Sequence, residues 1–194
     1  MKILHKKIIE LSMVIALAGR RIDATAAKTT RFPLYNIDKV KVKMKQLFIS
    51  IRPAALVCSG ACGADLLALQ VAGELGISRH IVLPFEMTRF RSKSVIDRPG
   101  NWGNLFDNIY REVQKEKQVL ALNYPDNDDN SYRQTNIEIL NRAEYLAEKF
   151  DSKNVTGVIV WEGSVKNKND TTGHFKMEAE SRGFIIKEIN TLNT

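Results

Sequence analysis

The chain has 194 residues, a length typical of a single domain, and its 44% hydrophobic and 26% charged residues exclude a disordered, collagen-like or coiled-coil protein. Its two cysteines, Cys58 and Cys62, are too few for a disulfide-stapled secreted scaffold or a zinc ribbon, and no His/Cys cluster predicts a metal site. The formal net charge of +7 is confined to the first quarter, because residues 1–52 hold twelve Lys/Arg against three acidic residues, whereas the remaining residues hold 17 against 19.

The first 12 residues are predicted to be an N-terminal extension of a single domain at residues 13–194. Three lysines followed by apolar residues resemble a secretory signal, but Glu10 interrupts the apolar part and Arg20 lies where small cleavage-site residues belong. The longest apolar run, residues 13–19, is shorter than the roughly 20 residues that span a bilayer. We therefore expect a cytoplasmic protein that has no membrane partner.

Short apolar runs alternate with amphipathic stretches, which is typical of strands alternating with helices. Strands are predicted at residues 13–18, 55–59, 80–83, 118–122, 155–161 and 184–189. Helices are predicted at residues 36–51, 63–75, 104–116, 131–150 and 173–182, with an irregular loop at 85–103. Because such alternation implies right-handed crossovers, we expect an α/β fold, a Rossmann-like three-layer α/β/α sandwich with a mainly parallel sheet.

The first predicted helix, at residues 36–51, is strongly basic. A basic segment attracts polyanions such as nucleic acid, or smaller phosphate-bearing ligands. A solvated helix face that serves only solubility is the alternative for this run of lysines, Lys39, Lys41, Lys43 and Lys45.

A glycine-rich turn follows the second predicted strand and opens the next helix. Small residues let backbone N–H groups approach a phosphate, and a helix N-terminus adds favourable charge there. The turn matches neither the dinucleotide fingerprint nor the Walker A motif, so a purely geometric role for its glycines is an equal alternative. The candidate phosphate-binding and ribose-binding residues are Ser59, Gly60, Ala61, Gly63 and Asp65.

Cationic side chains follow the first and third predicted strands, at the edge where open parallel sheets bind their ligands. Gly19, Arg20 and Arg21 come directly after the first strand, and the loop after the third strand contains Arg89, Arg91 and Arg98. Because guanidinium groups pair bidentately with phosphate, we expect contact with an anionic ligand. Ion pairs with nearby carboxylates such as Asp97 are the alternative.

The start of the last predicted helix is a second candidate anion site. Thr171, Thr172 and Gly173 offer hydroxyl and amide donors there, and an ordinary N-cap is the alternative. Glu178 lies farther along the same helix and is the candidate catalytic carboxylate if the protein is an enzyme. A solvated glutamate is the alternative for that position.

Tyr132 and Asn136 are candidates for contact with a base. They lie one turn apart near the start of the long predicted helix, so both project from one face. An asparagine can hydrogen-bond to an adenine edge and a tyrosine can stack on the ring. Capping and packing are the alternative for this pair.

The glycine-rich turn also resembles a known family. Residues 58–68 read CSGACGADLLA, which is similar to the SGGARGID-AAH turn of DNA-processing protein A and of the SLOG superfamily, to which the Lonely Guy phosphoribohydrolases belong. Bacterial SLOG-type domains with an ALAGRRID…RFP start and an RFR-SV-DRPG-W segment resemble residues 16–23, 31–33 and 89–102. The resemblance extends over residues 13–189.

This resemblance implies a Rossmann-like, nucleotide-binding domain. Some members of the superfamily hydrolyse nucleotide N-glycosidic bonds, and others only sense nucleotide-derived signals. The PGGxGTxxE signature of the Lonely Guy enzymes is replaced here by DTTGHFKME at residues 170–178. The resemblance therefore favours a sensor over a phosphoribohydrolase.

The sequence as a whole predicts a domain that binds a nucleotide or nucleotide-derived small molecule at the carboxyl edge of its sheet, with no cofactor and no metal ion. A nucleotide N-glycosidic bond hydrolase and a DNA-binding protein like DNA-processing protein A are the alternatives. A homo-oligomer and an effector protein encoded elsewhere are partners that the sequence leaves open, whereas nucleic acid is the less favoured partner.

Overall fold

The computed structural model describes residues 13–125, 129–152 and 154–193, so the predicted N-terminal extension with its signal-like lysines lies outside the described residues. The strands of the described chain are β1 (Val14–Gly19), β2 (Ala55–Cys58), β3 (Ser78–Leu83), β4 (Val119–Ala121), β5 (Val155–Trp161) and β6 (Ile185–Asn190). Its helices are α1 (Ile37–Ile51), α2 (Ala64–Glu74), α3 (Met87–Phe90), α4 (Trp102–Lys115), α5 (Asp129–Lys149) and α6 (Thr171–Ser181).

The six strands form one sheet in the order β4-β3-β2-β1-β5-β6, and every neighbouring pair is parallel. The chain moves outward from β1 through β2, β3 and β4, then returns to the other side of β1 for β5 and β6. The direction of winding therefore reverses between β1 and β5, and such switch points are where open α/β sheets bind ligands. The predicted Rossmann-like fold with a parallel sheet is confirmed.

Two apolar cores cover the two faces of this sheet, as expected for strands buried on both sides. Successive side chains of β1 point to opposite faces. Ile15 and Leu17 join the core that α1, α2 and α4 cover, whereas Val14 and Ala16 join the core that α5 and α6 cover. This arrangement is the three-layer sandwich that the sequence predicts.

The segment predicted as an irregular loop at residues 85–103 is partly helical, so that prediction was wrong. It contains α3 and a π-helical turn at Arg91–Val95. The Glu86 carboxylate caps α3 by accepting the amides of Thr88 and Arg89, at 2.8 Å and 2.6 Å. Phe90 is fully buried. The segment is held by a cap and by such buried side chains, and neither produces the repeated apolar spacing that reveals a longer helix.

The lysines of α1 are largely occupied by surface contacts. Lys41 and Lys45 pair with Glu74, with N–O distances of 2.8 Å and 3.3 Å, and the Lys43 amine donates to the carbonyl of Asn193 at 2.8 Å.

Within the described ranges, no helix combines the length and the hydropathy needed to cross a membrane.

Replacing Gly19 by alanine is expected to destabilise the protein by about 3 kcal/mol, because the new methyl group overpacks a tight junction. An added Cβ would lie 2.4 Å from the Cβ of Ala64 and 2.7 Å from the carbonyl oxygen of Val160. Urea denaturation of the wild type and of Gly19→Ala measures this difference in the free energy of unfolding.

The matched control is Gly76→Ala, at a glycine with φ +70° and no atom within 4 Å of an added Cβ. This control suffers only the backbone strain of a left-handed residue, about 1 kcal/mol. If Gly19→Ala lowers the free energy of unfolding no more than the control does, the close packing described at the end of β1 is wrong.

Candidate functional site

A cavity of about 550 Å³ opens at the carboxyl ends of β1, β2 and β5, at the switch point of the sheet. Its walls come from the segments that follow these strands, from the π-helical turn and its neighbours, and from the first half of α5. The predicted site residues that line it are Gly19, Arg20, Arg21, Ser59, Ala61, Asp65, Asn136, Thr171 and Thr172. The cavity also contains side chains that the sequence reasoning missed as site residues, Asp23, Arg31 and Lys166.

Other predicted site residues lie away from this cavity. Arg91 is paired with Asp107 through two bonds of 2.7 Å and 2.9 Å. The carboxylate of Glu178 accepts a hydrogen bond of 3.1 Å from Arg182, one turn farther along α6. The structure therefore does not bring the candidate catalytic carboxylate to the cavity. Three glycines also stay outside its lining, Gly60, Gly63 and Gly173.

The glycine-rich turn before α2 is closed by the carboxylate of Asp65. One oxygen of this buried group accepts the amides of Gly60 and Ala61, at 3.1 Å and 3.2 Å. The amide of Cys62 donates to the carbonyl of Ser94 at 2.9 Å. These amides, which the sequence assigned to a phosphate, bind acceptors of the chain itself.

Gly63 is explained by the backbone and not by a ligand. Its φ is +95°, and an added Cβ would lie 2.8 Å from the carbonyl oxygen of Arg20. The next amide, that of Ala64, donates to the same carbonyl at 3.1 Å. The turn therefore places the start of α2 directly against the end of β1.

Burial acts strongly on the carboxyl group of Asp65. It raises the pKa of this group to about 6, although the turn amides of Ala61 and Gly60 act to lower it. The side chain lines the cavity, so a buried acid with a raised pKa faces the site.

The N-terminus of α6 is closed in the same way, by Asp170. This residue caps the helix by accepting the amide of Thr172 at 3.1 Å, and it also accepts the amide of Lys166 at 2.8 Å. Both carboxylate oxygens accept bonds from the Arg20 guanidinium. Burial acts to raise the pKa of Asp170, but the Arg20 guanidinium and the amides outweigh it and hold this pKa below its usual value.

Arg20 is saturated by partners within the protein. It is 2% exposed and donates to Glu162 at 2.6 Å and 3.1 Å, to Asp170, and to the carbonyl of Ser164 at 2.6 Å. Arg31 contacts the same Glu162 carboxylate. Both basic groups and both carboxylates thus form one charge-balanced cluster beside the cavity, in which the Arg31 side chain stays 21% exposed.

A second group of cations in the cavity has fewer partners. Arg21 and Arg98 share a single carboxylate, that of Asp97, and about 30% of each of these side chains is exposed. Lys166 has no ion-pair partner within the chain that the structure describes. Partial burial and the positive charges of Arg20, Arg31 and Arg98 lower the pKa of Lys166, although the carboxylate of Asp170 acts to raise it. This wall of the cavity therefore carries surplus positive charge.

A third wall carries an aromatic ring and an amide from α5. The hydroxyl of Tyr132 lies 3.1 Å from the hydroxyl of Ser94, and its ring packs edge-on against Phe85 at 6.0 Å. The side-chain NH₂ of Asn136 donates to the carbonyl of Thr171 at 2.8 Å. The amide oxygen of Asn136 accepts no hydrogen bond from the described residues, so it stays available at the cavity wall.

Comparison with known proteins gives weak similarities only. No known protein family and no curated protein matches the sequence. The structure of DNA processing protein A (DprA) from Streptococcus pneumoniae is 11% identical over 92% of this chain and 59% of its own length, with a TM-score of 0.38. Streptococcus suis SuiB, in a structure bound to S-adenosylmethionine, is 10% identical over 92% of this chain and 46% of its own length, with a TM-score of 0.28.

The chain therefore spans less than two thirds of the length of either protein. Its class, a Rossmann-like α/β domain, follows from its own strand order and parallel pairing.

The pH dependence of stability provides a test of the Asp65 environment. Because its pKa is raised to about 6 from 3.8, folded Asp65 holds a proton that the unfolded chain releases between these values. Its contribution is fully present below pH 3.8 and is lost as the pH rises through 6, a change of about 3 kcal/mol. We expect Asp65→Asn to remove this dependence.

The measurement is the free energy of unfolding of the wild type and of Asp65→Asn by urea denaturation from pH 4 to pH 7. Subtracting one protein from the other cancels groups common to both, including His80, whose pKa burial lowers to about 4. The stability of Asp65→Asn relative to wild type should increase with pH. A difference that stays constant across this range would show that Asp65 titrates normally.

Proposed function

We propose that the protein binds a nucleotide or a nucleotide-derived small molecule in the cavity at the carboxyl edge of its sheet. The observation that carries this proposal is the combination of chemistries in that cavity. Loops after β1, β3 and β5 supply Arg21, Arg98 and Lys166, and α5 supplies Tyr132 and Asn136. A nucleotide has the matching parts, a phosphate for the cations and a planar base for the ring and the amide.

The place and the size of the cavity support the same ligand class. It lies at the switch point of a parallel sheet, between β1 and β5. Its volume of about 550 Å³ falls within the range of about 300–1,000 Å³ that small-ligand sites occupy. The resemblance of residues 58–68 to the SLOG superfamily agrees with a nucleotide or nucleotide-derived signal, sensed by a bacterial domain.

The carboxylates of the site favour binding over hydrolysis. Among the described residues, the acids that line the cavity are Asp23 and Asp65, and both accept backbone amides of their own loops. Glu178 lies elsewhere, paired with Arg182. Cleavage of an N-glycosidic bond needs a carboxylate free to stabilise a developing cation or to activate water.

A DNA-binding role has less support. The helix with the densest run of basic residues is α1, and its Lys41 and Lys45 share the carboxylate of Glu74, while Lys43 contacts the carbonyl of Asn193. These contacts tie the lysines to the surface of their own chain. The surplus positive charge lies inside a concave site, which fits a small anion better than a duplex.

Nucleoside 5′-monophosphates are expected to raise the melting temperature of the protein, with the largest shift for AMP. A ligand that binds only the folded state stabilises it by about 2.7 kcal/mol at a hundredfold excess over Kd. Thermal denaturation with AMP, GMP, CMP and UMP at millimolar concentration measures the shift. The absence of a shift with all four nucleotides would refute the proposed function.

Two variants of α5 test whether the base of the ligand binds at this wall of the cavity. Asn136→Ala removes the amide at the cavity wall and is expected to reduce the AMP-induced shift. Gln134→Ala changes an exposed residue two positions away, outside the cavity lining, and is expected to retain the wild-type shift. Equal shifts for both variants would place the base somewhere other than the α5 wall.

A further inference from the structure

Three cationic side chains line the cavity without a full set of partners, Arg21, Arg98 and Lys166. Arg21 and Arg98 both contact the carboxylate of Asp97, through its Oδ1 and Oδ2 atoms respectively, so the two guanidinium groups share one negative charge. Lys166 lines the same cavity, and Arg98 is among the cations whose charge lowers its pKa. The three side chains come from three separate loops and line one cavity.

Two of these cations have unused donors. The Nε atoms of Arg21 and Arg98 are buried and have no hydrogen-bond partner in the structure. The Nε of Arg98 lies 3.5 Å from Asp97, which is an ion-pair distance without the geometry of a hydrogen bond. A buried donor without an acceptor costs free energy, so the contacts within the described chain leave the guanidinium groups of Arg21 and Arg98 unsaturated, unlike that of Arg20.

The charges of this wall do not balance. Arg21 and Arg98 share the single carboxylate of Asp97, and Lys166 has no ion-pair partner among the described residues, which leaves a surplus of two positive charges. Asp65 is also within electrostatic range of Arg21, but its hydrogen bonds go to the amides of its own turn. A phosphomonoester carries a charge of about −1.5 to −2 at pH 7, and its three terminal oxygens accept strong hydrogen bonds. A phosphodiester carries one charge and fits this surplus less well.

We propose that Arg21, Arg98 and Lys166 form a subsite for one phosphomonoester dianion, so that the ligand ends in a terminal phosphate. This inference rests on the proposed function and specifies the substrate class of the same site. The subsite consists of side chains, because Asp65 occupies the amides of Gly60 and Ala61 in the turn before α2, and Asp170 occupies the amide of Thr172 at the start of α6.

Calorimetric titrations with four probes test the charge requirement. AMP has a phosphomonoester, 3′,5′-cyclic AMP has a diester with the same base, and adenosine has no phosphate. Ribose 5-phosphate keeps the phosphomonoester and lacks the base, so it separates a sugar phosphate from a nucleotide as the source of the dianion. We expect AMP to bind more tightly than cyclic AMP and adenosine, and ribose 5-phosphate to bind measurably.

Variants of the subsite test the residues. Lys166→Met and Arg98→Gln are each expected to lower the affinity for AMP and for ribose 5-phosphate by about 10- to 100-fold, the effect of losing one charge-assisted hydrogen bond. The affinity for adenosine is expected to stay unchanged. Lys168→Met and Arg111→Gln remove the same charges from residues outside the cavity lining and are expected to bind all four probes like the wild type. Lys166 has no ion-pair partner in the described chain, so its replacement keeps the fold intact.

The outcomes separate this inference from the proposed function. AMP binding that Lys166→Met and Arg98→Gln leave at the wild-type level overturns the subsite and leaves nucleotide binding standing. Equal affinities for AMP and cyclic AMP also overturn it. Binding of ribose 5-phosphate that these variants weaken, without binding of any nucleotide, supports the subsite and refutes the proposed function.

Discussion

The ligand edge of this domain depends on the buried guanidinium of Arg20. It donates to Glu162, to Asp170 and to the carbonyl of Ser164, and it is 2% exposed. A buried charge that loses its partner destabilises a protein by about 3–5 kcal/mol, so these contacts hold the segment after β5 against the end of β1. The carbonyl of the same residue accepts the amide of Ala64 and thereby fixes the start of α2. One residue thus positions three walls of the cavity.

This cluster determines which groups are left for a ligand. Helix N-termini at such an edge commonly bind phosphate through their amides. Here Asp65 occupies the amides of the turn before α2, and the first amide of α2, that of Ala64, donates to the carbonyl of Arg20. Asp170 accepts the amide of Thr172 in α6 and is in turn neutralised by Arg20. The groups that remain are side chains, including the cations Arg21 and Lys166. In our proposal these cations, with their neighbours, replace backbone amides as the phosphate site, while α5 contacts the base.

The fold could be predicted because its signal is local, whereas the roles of individual site residues depend on distant contacts. Apolar runs and helical spacing gave the order of strands and helices, and the carboxyl-edge rule placed Arg20 and Arg21 at the cavity. The two arginines are adjacent, and only the structure separates them: Arg20 meets Asp170, 150 positions away, while Arg21 meets Asp97. The sequence did not predict Lys166 as a site residue, because its segment has no periodicity. The capped turn at α3 escaped notice because it is too short to show one.

A crystal structure of the complex with AMP tests the central claim most directly, because it shows which arginine contacts the ligand. We expect the phosphate to lie against Lys166 and the guanidinium groups of Arg21 and Arg98, with Arg20 still bound to Glu162 and Asp170. A phosphate bonded to Arg20 itself, or to the amides at the start of α6 with Asp170 displaced, would show that Arg21, Arg98 and Lys166 do not form the phosphate site.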